Sequence, residues 1–343
     1  MLISCYFNLV YMILIFSSSE DSSTNEVLKW LKYYESSFFR VNNIDLCDQQ
    51  YFEMYLSNKG EALRFEAIDS LDNYTSIWIR RGGFSFSMPL LQELKHKKQE
   101  IHGHFVSEQR SLISYINDCF DDKTRLGSFN LFEINKLASL KLARKVGLKI
   151  PDTIISTNKN VIIDFFNSHE SIITKNIQDI LIFSENDDFY FTYTELILSD
   201  IINSMPDSFP PSLFQEKIEK EFEIRSFYLD GIFYSMAIFS QSDSQTQIDF
   251  RKYNNQNPNR ITPFKLPLEI EEMLHRFMVE INLNTGSFDL IYSKNKEFVF
   301  LELNPIGQYD MVSRNCNYFI DKEIAKYLIN KSNSKCTQKV KVS

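Results

Sequence analysis

Short apolar runs and amphipathic segments alternate along the first third of the chain. Residues 12–16 (MILIF) and 76–81 (SIWIRR) have the length and apolar content of buried strands, whereas residues 24–34 (TNEVLKWLKYY) carry apolar side chains at helical spacing. Strands that alternate with helices predict an open α/β domain, which we place at residues 12–125. We expect the natural chain to start at Met12, so that the residues ahead of it are extra.

The pattern changes in the middle of the chain. Residues 132–156 (FEINKLASLKLARKVGLKIPDTIIS) keep helical spacing as far as Gly147, a residue typical of a helix C-terminus, and Pro151 prevents the helix from continuing. A helix, a turn and a strand are therefore predicted at the start of a second part, residues 126–212.

The third part, residues 213–330, is rich in strands. Residues 228–239 (YLDGIFYSMAIF) predict a hairpin that turns at Asp230 and Gly231, and an amphipathic helix closes the part. We expect residues 331–343 to form a polar tail that frays. The predicted fold class is α/β together with α+β: an N-terminal open α/β domain followed by two α+β subdomains.

Polar residues interrupt the last predicted strand, FLELNP, at residues 300–305. Glu302 and Asn304 lie two residues apart and share a face of the strand, while Leu301 and Leu303 are expected on the other face. If Asn295 and Lys296 form a two-residue turn, counting outward places Asp289 directly opposite Glu302. Two carboxylates directly opposite each other repel and destabilise a hairpin. A Mg²⁺ ion between them, with Asn304 as a third ligand, would remove this repulsion because both carboxylates would coordinate the ion. A solvated sheet face, or carboxylates paired with nearby Lys and Arg, remains the alternative.

Composition excludes several classes of function. The formal net charge of −8 argues against a nucleic-acid partner, since the phosphate backbone would be repelled. The five cysteines are scattered without a C-x-x-C or Cys/His pair, a pattern typical of reduced thiols in the cytoplasm. The apolar N-terminus is broken by Ser4, Cys5 and Asn8 and has no basic residues ahead of it, so we predict no membrane anchor.

Cations accompany the carboxylate hairpin in the sequence. Lys175 ends the predicted strand SIITK, residues 214–225 (FQEKIEKEFEIR) end in Arg225, and residues 249–254 (DFRKYN) contain Arg251. Cations near paired carboxylates suit a nucleotide whose phosphates are bridged by magnesium.

These motifs, in this order, resemble the ATP-grasp ligases. The order is NK, TK, QEKI, EFEIR, DFRKY, FD and ELNP. The chain is similar to the RimK-like glutamate ligases and, more narrowly, to the ATP-grasp maturases of ribosomally made peptides, the microviridin-type and grasp-with-spasm enzymes. The narrower resemblance lies in WIRRGGF, NKLASLKLARKVGLKIPDT and ELNPIGQYDMVS. It implies an ATP-grasp fold that clamps ATP between two subdomains.

The resemblance also implies roles for individual residues. Arg225 and Arg251 would steady the transferred phosphoryl group, and Glu223 would contact the ribose, with Glu221 as a rival. One or two Mg²⁺ ions would be held by Asp289, Glu302 and Asn304. The ATP phosphates and the adenine would be bound by Lys136, Lys175, Gln215, Glu216, Lys217 and Ile218.

One segment departs from the family pattern. Many members have a glycine-rich loop after the second lysine, whereas residues 176–191 (NIQDILIFSENDDFYF) contain no glycine. We expect this loop to be altered or shortened.

The resemblance predicts a reaction and a partner. Asp or Glu side chains of a precursor peptide with a leader would be activated as acyl phosphates and joined to Thr or Ser hydroxyls, or to Lys amines. Arg80 and Arg81 would contact carboxylates of this peptide, or they form an ordinary surface pair. Rival functions are a RimK-like ligase that adds amino acids and a non-catalytic nucleotide-binding module. We leave a homodimer open.

Overall fold

The computed structural model describes most of the chain. The described residues are 12–42, 52–65, 68, 71–81, 93–95, 98–121, 124–129, 134–178, 182–185, 188–241, 248, 256 and 258–342. They form two compact units: unit 1 comprises residues 1–132 with 319–343, and unit 2 comprises residues 133–318. None of the helices in the described part of the chain has the length and apolar content that crossing a bilayer requires.

Unit 1 is built on a parallel four-stranded sheet, as the first third of the sequence predicted. The strand order is β2-β1-β5-β6, with β1 at Met12–Ser17, β2 at Phe38–Asn42, β5 at Tyr74–Ile79 and β6 at Arg125–Leu126. Helices α1 (Ser22–Tyr33) and α2 (Gln99–Asp121) and a separate hairpin, β3 (Phe52–Ser57) with β4 (Gly60–Phe65), also belong to unit 1. All six residues of β5 are buried, which explains the uninterrupted apolar run, because parallel strands are covered on both faces.

The last helix differs from the prediction. Residues 319–330 were assigned to the third part and residues 331–343 to a tail, but Ile320–Val342 form one helix, α8, which belongs to unit 1. The Thr75 hydroxyl bonds the Ser332 hydroxyl at 2.5 Å, and Ser332 is buried. The buried stripe therefore continues past the last leucine, and the segment contains neither Gly nor Pro to end the helix.

The first sheet of unit 2 is antiparallel, in the order β11-β8-β12-β7. Its strands are β7 (Thr153–Asn158), β8 (Ile172–Lys175), β11 (Glu195–Ile197) and β12 (Ser208–Glu216). Helix α3 (Lys136–Lys145) contacts the second sheet of the unit, whereas α4 (Lys159–Asn167) and α5 (Ser199–Ser204) pack on the first. The glycine-free segment forms a small hairpin, β9 (Ile182–Glu185) with β10 (Asp188–Phe191). A core of Ile162, Ile172, Ile197, Ile202 and Phe214 lies between this sheet and its helices.

The second sheet of unit 2 carries the carboxylate hairpin. Its order is β15-β14-β13-β16-β17, with β13 at Lys220–Leu229, β14 at Ile232–Phe239, β15 at Arg260–Phe264, β16 at Thr285–Ser293 and β17 at Phe298–Asn304. Helix α6 (Leu268–Glu280) packs on this sheet through Phe277, and α7 (Asp310–Cys316) contacts β13, β14 and β15. The predicted turn at Asp230 and Gly231 is confirmed: both residues have positive φ, 42° and 98°, as a tight hairpin turn requires.

Helix α3 begins and ends where its sequence signals lie. The Asn135 side chain accepts hydrogen bonds from the backbone N–H groups of Leu137 and Ala138, which caps the N-terminus. Gly147, at φ 102°, follows the C-terminus as predicted. Lys136 is thereby fixed in the first turn of the helix.

Candidate functional site

The hairpin of β16 and β17 places Asp289 directly opposite Glu302, as predicted, although by a different route. The turn holds three residues, because Ser293 N donates to Glu297 O at 2.9 Å. Leu301 is then an extra residue in β17, a β-bulge that restores the predicted pairing. The bulge also brings Leu301 and Glu302 to the same cleft, so the expectation that Leu301 lies on the opposite face is wrong.

Asp289 is held by two partners from neighbouring strands. Arg225 on β13 donates two parallel hydrogen bonds to its carboxylate, from Nε to Oδ1 and from Nη2 to Oδ2, both at 2.8 Å. Asn304 on β17 donates from Nδ2 to Oδ2 at 3.0 Å. The Arg225 and Asp289 side chains are each 13% exposed. A two-point contact of this kind fixes both the position and the plane of the carboxylate.

Glu302 faces a cation from helix α3. Lys136 Nζ lies 3.3 Å from Glu302 Oε2 and donates to the Gln178 carbonyl at 2.6 Å. The described residues contain no group of three or more His, Cys, Asp or Glu arranged as a metal site. Two carboxylates and one carboxamide do converge, however, and hard oxygen ligands that leave room for phosphate oxygens are the set that Mg²⁺ prefers. The residues therefore fit a magnesium ion that arrives with a phosphate.

A cleft in unit 2 runs between the two sheets and ends at this pair of carboxylates. Its empty volume, with the open mouth included, is about 870 Å³. Of the residues predicted for nucleotide and metal binding, the ones that line the cleft are Lys175, Gln215, Glu216, Lys217, Ile218, Glu223, Asp289 and Glu302. Lys136, Arg225 and Asn304 reach the same place through their contacts with Asp289 and Glu302.

The segment that joins β12 to β13 forms one wall of the cleft. Glu216 is anchored on Asp152 twice: its N–H donates to the Asp152 carbonyl, and its Oε1 accepts from the Asp152 N–H, both at 2.9 Å. Gln215 Nε2 donates to Thr153 Oγ1 at 2.8 Å, which directs this amide away from solvent. The lining of the cleft also includes apolar side chains: Ile173, which pairs with Gln215 on the neighbouring strand, and Ile291 and Leu301 on the second sheet. A flat heterocycle would find apolar side chains and backbone polar groups in the same cleft.

Glu223 is a buried carboxylate that lines the cleft. Lys220 donates to its Oε1, and so does the Ser240 hydroxyl, at 2.9 Å. Burial raises the pKa of the Glu223 carboxyl above its ordinary value, while these two donors oppose the rise. Its rival, Glu221, pairs with Lys296 and does not line the cleft. Of these two candidates for the ribose contact, Glu223 lines the cleft and Glu221 does not, and the contact itself stays a prediction.

Lys220 and Ser240 were missed by the sequence analysis. Simple alternation puts Lys220 and Glu223 on opposite faces of β13, but the register shifts between Lys220 and Phe222, and the irregularity brings Lys220 to the side of Glu223. Ser240 follows β14 and carries no motif. Either residue could have been found only from the pairing of the strands, which the sequence alone does not reveal.

The remaining predicted residues lie elsewhere. Arg80, in unit 1, is buried at 3% exposure and pairs with Asp21 (Nε to Oδ2, 3.4 Å), so an internal carboxylate already meets this guanidinium. Arg81 lies 3.6 Å from the other oxygen of Asp21 and is 37% exposed. The alternative that Arg80 and Arg81 form an ordinary surface pair is thus wrong for Arg80, which is buried. Contact with a peptide stays a prediction for both arginines. Arg251 lies outside the described residues.

Solved structures similar to this chain are ligases. A Chryseobacterium gregarium RiPP-associated ATP-grasp ligase, in complex with ADP and a leader and core peptide, has 23% identity and a TM-score of 0.78, covering 94% of this chain and 97% of that one. The macrocyclase MdnC from Microcystis aeruginosa MRC, bound to precursor peptide MdnA, has 23% identity and a TM-score of 0.73, covering 93% and 99%.

A third solved structure agrees with these two. The ATP-grasp ligase PsnB, complexed with minimal precursor, Mg and ADP, has 15% identity and a TM-score of 0.70, covering 93% of this chain and 97% of that one. No protein-family model matches the chain, and no curated protein does either. The likeness spans nearly the full length of each structure, and it shows that this chain has the ATP-grasp fold.

Proposed function

We propose that the protein is an ATP-dependent ligase that matures a ribosomally made precursor peptide. It activates Asp or Glu side chains of the peptide as acyl phosphates and joins them to Thr or Ser hydroxyls, or to Lys amines, in macrocyclic links. The observation that carries the proposal is the pairing of Asp289 with Glu302 at the end of the cleft, beside Arg225 and Lys136, in a chain with the ATP-grasp fold. The structures of similar ligases contain ADP together with a leader and core peptide, or ADP with Mg and a minimal precursor, which supports both ATP and a peptide with a leader as partners.

Different parts of the cleft lining are proposed to bind the adenine, the ribose and the phosphates of the nucleotide. The segment from Gln215 to Ile218 and the apolar side chains that line the cleft receive the adenine, and Glu223 accepts hydrogen bonds from the ribose hydroxyls. Lys175, which lines the cleft, and Lys136, beside Glu302, contact the phosphates. Both lysines supply the positive charge that a triphosphate needs when it leaves water.

The metal ligands are Asp289, Glu302 and Asn304. When Mg²⁺ is bound there, it supplies positive charge to the phosphate oxygens during phosphoryl transfer. Arg225 orients the Asp289 carboxylate and adds a fixed positive charge next to it. We assign Arg225 and Arg251 to the stabilisation of the transferred phosphoryl group.

The chemistry proceeds in two displacements. A peptide carboxylate oxygen forms a bond to the γ-phosphorus of ATP while the bond to ADP breaks, which gives an acyl phosphate. A peptide hydroxyl or amine then attacks the acyl carbon, phosphate leaves, and the nucleophile loses its proton. The described residues that line the cleft include no His or Cys. The chain's contribution is therefore placement and charge, the main demand of phosphoryl transfer.

The experiment uses purified full-length protein and a short peptide encoded beside its gene that is rich in Thr and in Asp or Glu. Incubation with ATP and Mg²⁺ should release ADP and lower the peptide mass by one water for each link, as read by mass spectrometry. Mass gain with added free amino acids would instead identify the RimK-like alternative, and ATP binding without any product would indicate a non-catalytic module. We place the reaction in the cytoplasm, where ATP and reduced thiols are found.

A matched pair of substitutions ties the activity to the hairpin. Glu302→Gln should lower turnover by about 100-fold or more, because it removes a metal carboxylate. Glu297→Gln, on the same hairpin, breaks a surface pair with Lys149 and should leave turnover unchanged. Equal activity of the two variants would refute the proposal.

A further inference from the structure

The Glu223 carboxylate has its hydrogen bonds divided unequally between its two oxygens. The Lys220 ammonium and the Ser240 hydroxyl both donate to Oε1. Within the described residues, Oε2 receives no hydrogen bond. A carboxylate has about four acceptor sites, so Oε2 can still accept from a donor that enters the cleft.

The two donors are themselves fixed. Lys220 is 7% exposed and donates a second hydrogen bond to the Ile248 carbonyl at 3.3 Å. Ser240 is fully buried, and its hydroxyl accepts from Gln241 Nε2 at 3.3 Å while it donates to Glu223. Lys220, Glu223 and Gln241 all line the cleft. Each contact restricts the next, so the carboxylate has a defined plane before any ligand arrives.

The electrostatic consequence concerns the charge of Glu223. An ionised carboxylate buried among protein atoms is unfavourable unless it is paired and hydrogen-bonded, and a protonated one accepts less well. Lys220 supplies the opposite charge, and Ser240 supplies a neutral donor that bonds the charged form. Both contacts favour the ionised form and so oppose the rise in the Glu223 pKa that burial causes.

We propose that Ser240 and Lys220 are positioning residues that hold the Glu223 carboxylate by Oε1, so that Oε2 receives the ribose hydroxyls of the nucleotide. The inference deepens the proposed function, on which it rests for the identity of the ligand. The protein should therefore bind a ribonucleotide more tightly than a nucleotide that lacks the 2′ and 3′ hydroxyls. This difference in affinity should depend on Ser240, although Ser240 does not line the cleft.

The test compares two nucleotides on three proteins by titration calorimetry in the presence of Mg²⁺. The nucleotides are ATP and 2′,3′-dideoxy-ATP, and the proteins are the unsubstituted chain, Ser240→Ala and Ser235→Ala. Ser235 is the matched control: it is buried on β14 and its hydroxyl bonds the Ser226 hydroxyl at 2.6 Å, but it does not line the cleft.

The unsubstituted protein should bind ATP about tenfold or more tightly than dideoxy-ATP, since hydrogen bonds to a charged acceptor are at stake. Ser240→Ala should weaken ATP binding by about three- to tenfold and leave dideoxy-ATP binding within about twofold, so that the preference shrinks. Ser235→Ala should keep the full preference. In a Glu223→Gln background, Ser240→Ala should have little further effect on ATP affinity, because the two residues act through one contact.

The outcomes distinguish a failure of the positioning role from a failure of the proposed ligase function. Equal weakening of both nucleotides by Ser240→Ala, or an unchanged preference, would overturn the positioning role while the ATP-binding function stands. Absence of a preference in the unsubstituted protein would overturn it as well. Failure of the unsubstituted protein to bind Mg²⁺ and ATP at all would refute the proposed function itself.

Discussion

The ion pair between Arg225 and Asp289 allows folding and metal binding to be tested separately. Asp289→Asn leaves the Arg225 guanidinium at 13% exposure without its carboxylate, and Arg225→Met leaves the carboxylate without its guanidinium. Arg225→Met loses both bonds of 2.8 Å, and Asp289→Asn loses the negative charge and one of the two acceptor oxygens, so each variant should destabilise unit 2 by about 3 kcal/mol. The double variant Asp289→Asn/Arg225→Met leaves no unpaired charge, so its cost should fall below the sum of the two by about 2 kcal/mol.

The affinity for Mg²⁺ and ATP should not recover in the double variant as the stability does. Asp289→Asn replaces a charged magnesium ligand with a neutral amide, and the double variant does not restore the charge, although it recovers part of the stability. Hydrogen exchange of the amides in β13 and β16 gives the local stability of unit 2, which is preferable to a whole-chain melting curve because the chain has two compact units. Calorimetric titration with Mg²⁺ and ATP gives the affinity.

Glu297→Gln serves as the control, since its pair with Lys149 is exposed and should contribute little to either quantity. Recovery of nucleotide affinity in the double variant would refute the reasoning, because it would mean that Asp289 acts only by neutralising Arg225. Strictly additive destabilisation would refute the electrostatic part, because it would mean that the two side chains do not interact.

Three further predictions concern other parts of the chain. Lys136→Met should weaken binding of Mg²⁺ and ATP by about five- to tenfold in calorimetry, with little change in stability, because Lys136 is partly exposed beside Glu302. Gly127→Ala should unfold or strongly destabilise unit 1 in circular dichroism melts, because φ is 85° and a Cβ would lie 2.2 Å from a backbone carbonyl oxygen. His169 has its pKa raised chiefly by a hydrogen bond to the Phe165 carbonyl. The stability that protonated His169 contributes is therefore complete below the pKa that His169 has in the unfolded chain, and it is lost as pH rises through the pKa that it has in the folded protein. His169→Gln should therefore lower the free energy of unfolding more at about pH 5.5 than at about pH 8.5.

The carboxylate hairpin shows what the sequence can supply. The pairing of Asp289 with Glu302 follows from counting along two apolar strands, and the resemblance names the same residues. The count assumed a two-residue turn without irregularities, whereas the structure has a three-residue turn and a bulge at Leu301. The two differences cancel at Asp289, which is why the prediction holds there and fails at Leu301.

The misses share a physical origin in contacts between distant residues. The register shift next to Lys220 depends on how β13 pairs with β16, and the Ser240 contact depends on the position of β14, neither of which periodicity reveals. Helix α8 continues to Val342 because Ser332 meets Thr75, more than two hundred positions earlier in the chain. Local patterns identified the elements and their chemistry, while partners that lie far apart in sequence decided the details.

The compensation between the turn and the bulge limits how this hairpin can change in length. Removal of one turn residue alone would slide every later position of β17 by one, and alternation would then send Glu302 towards Phe277 and Phe288, which are fully buried. Removal of Leu301 alone would shift the register in the opposite sense. Loss of both together would keep Asp289 across from Glu302, so insertions and deletions in this hairpin are expected to be tolerated only as coupled pairs.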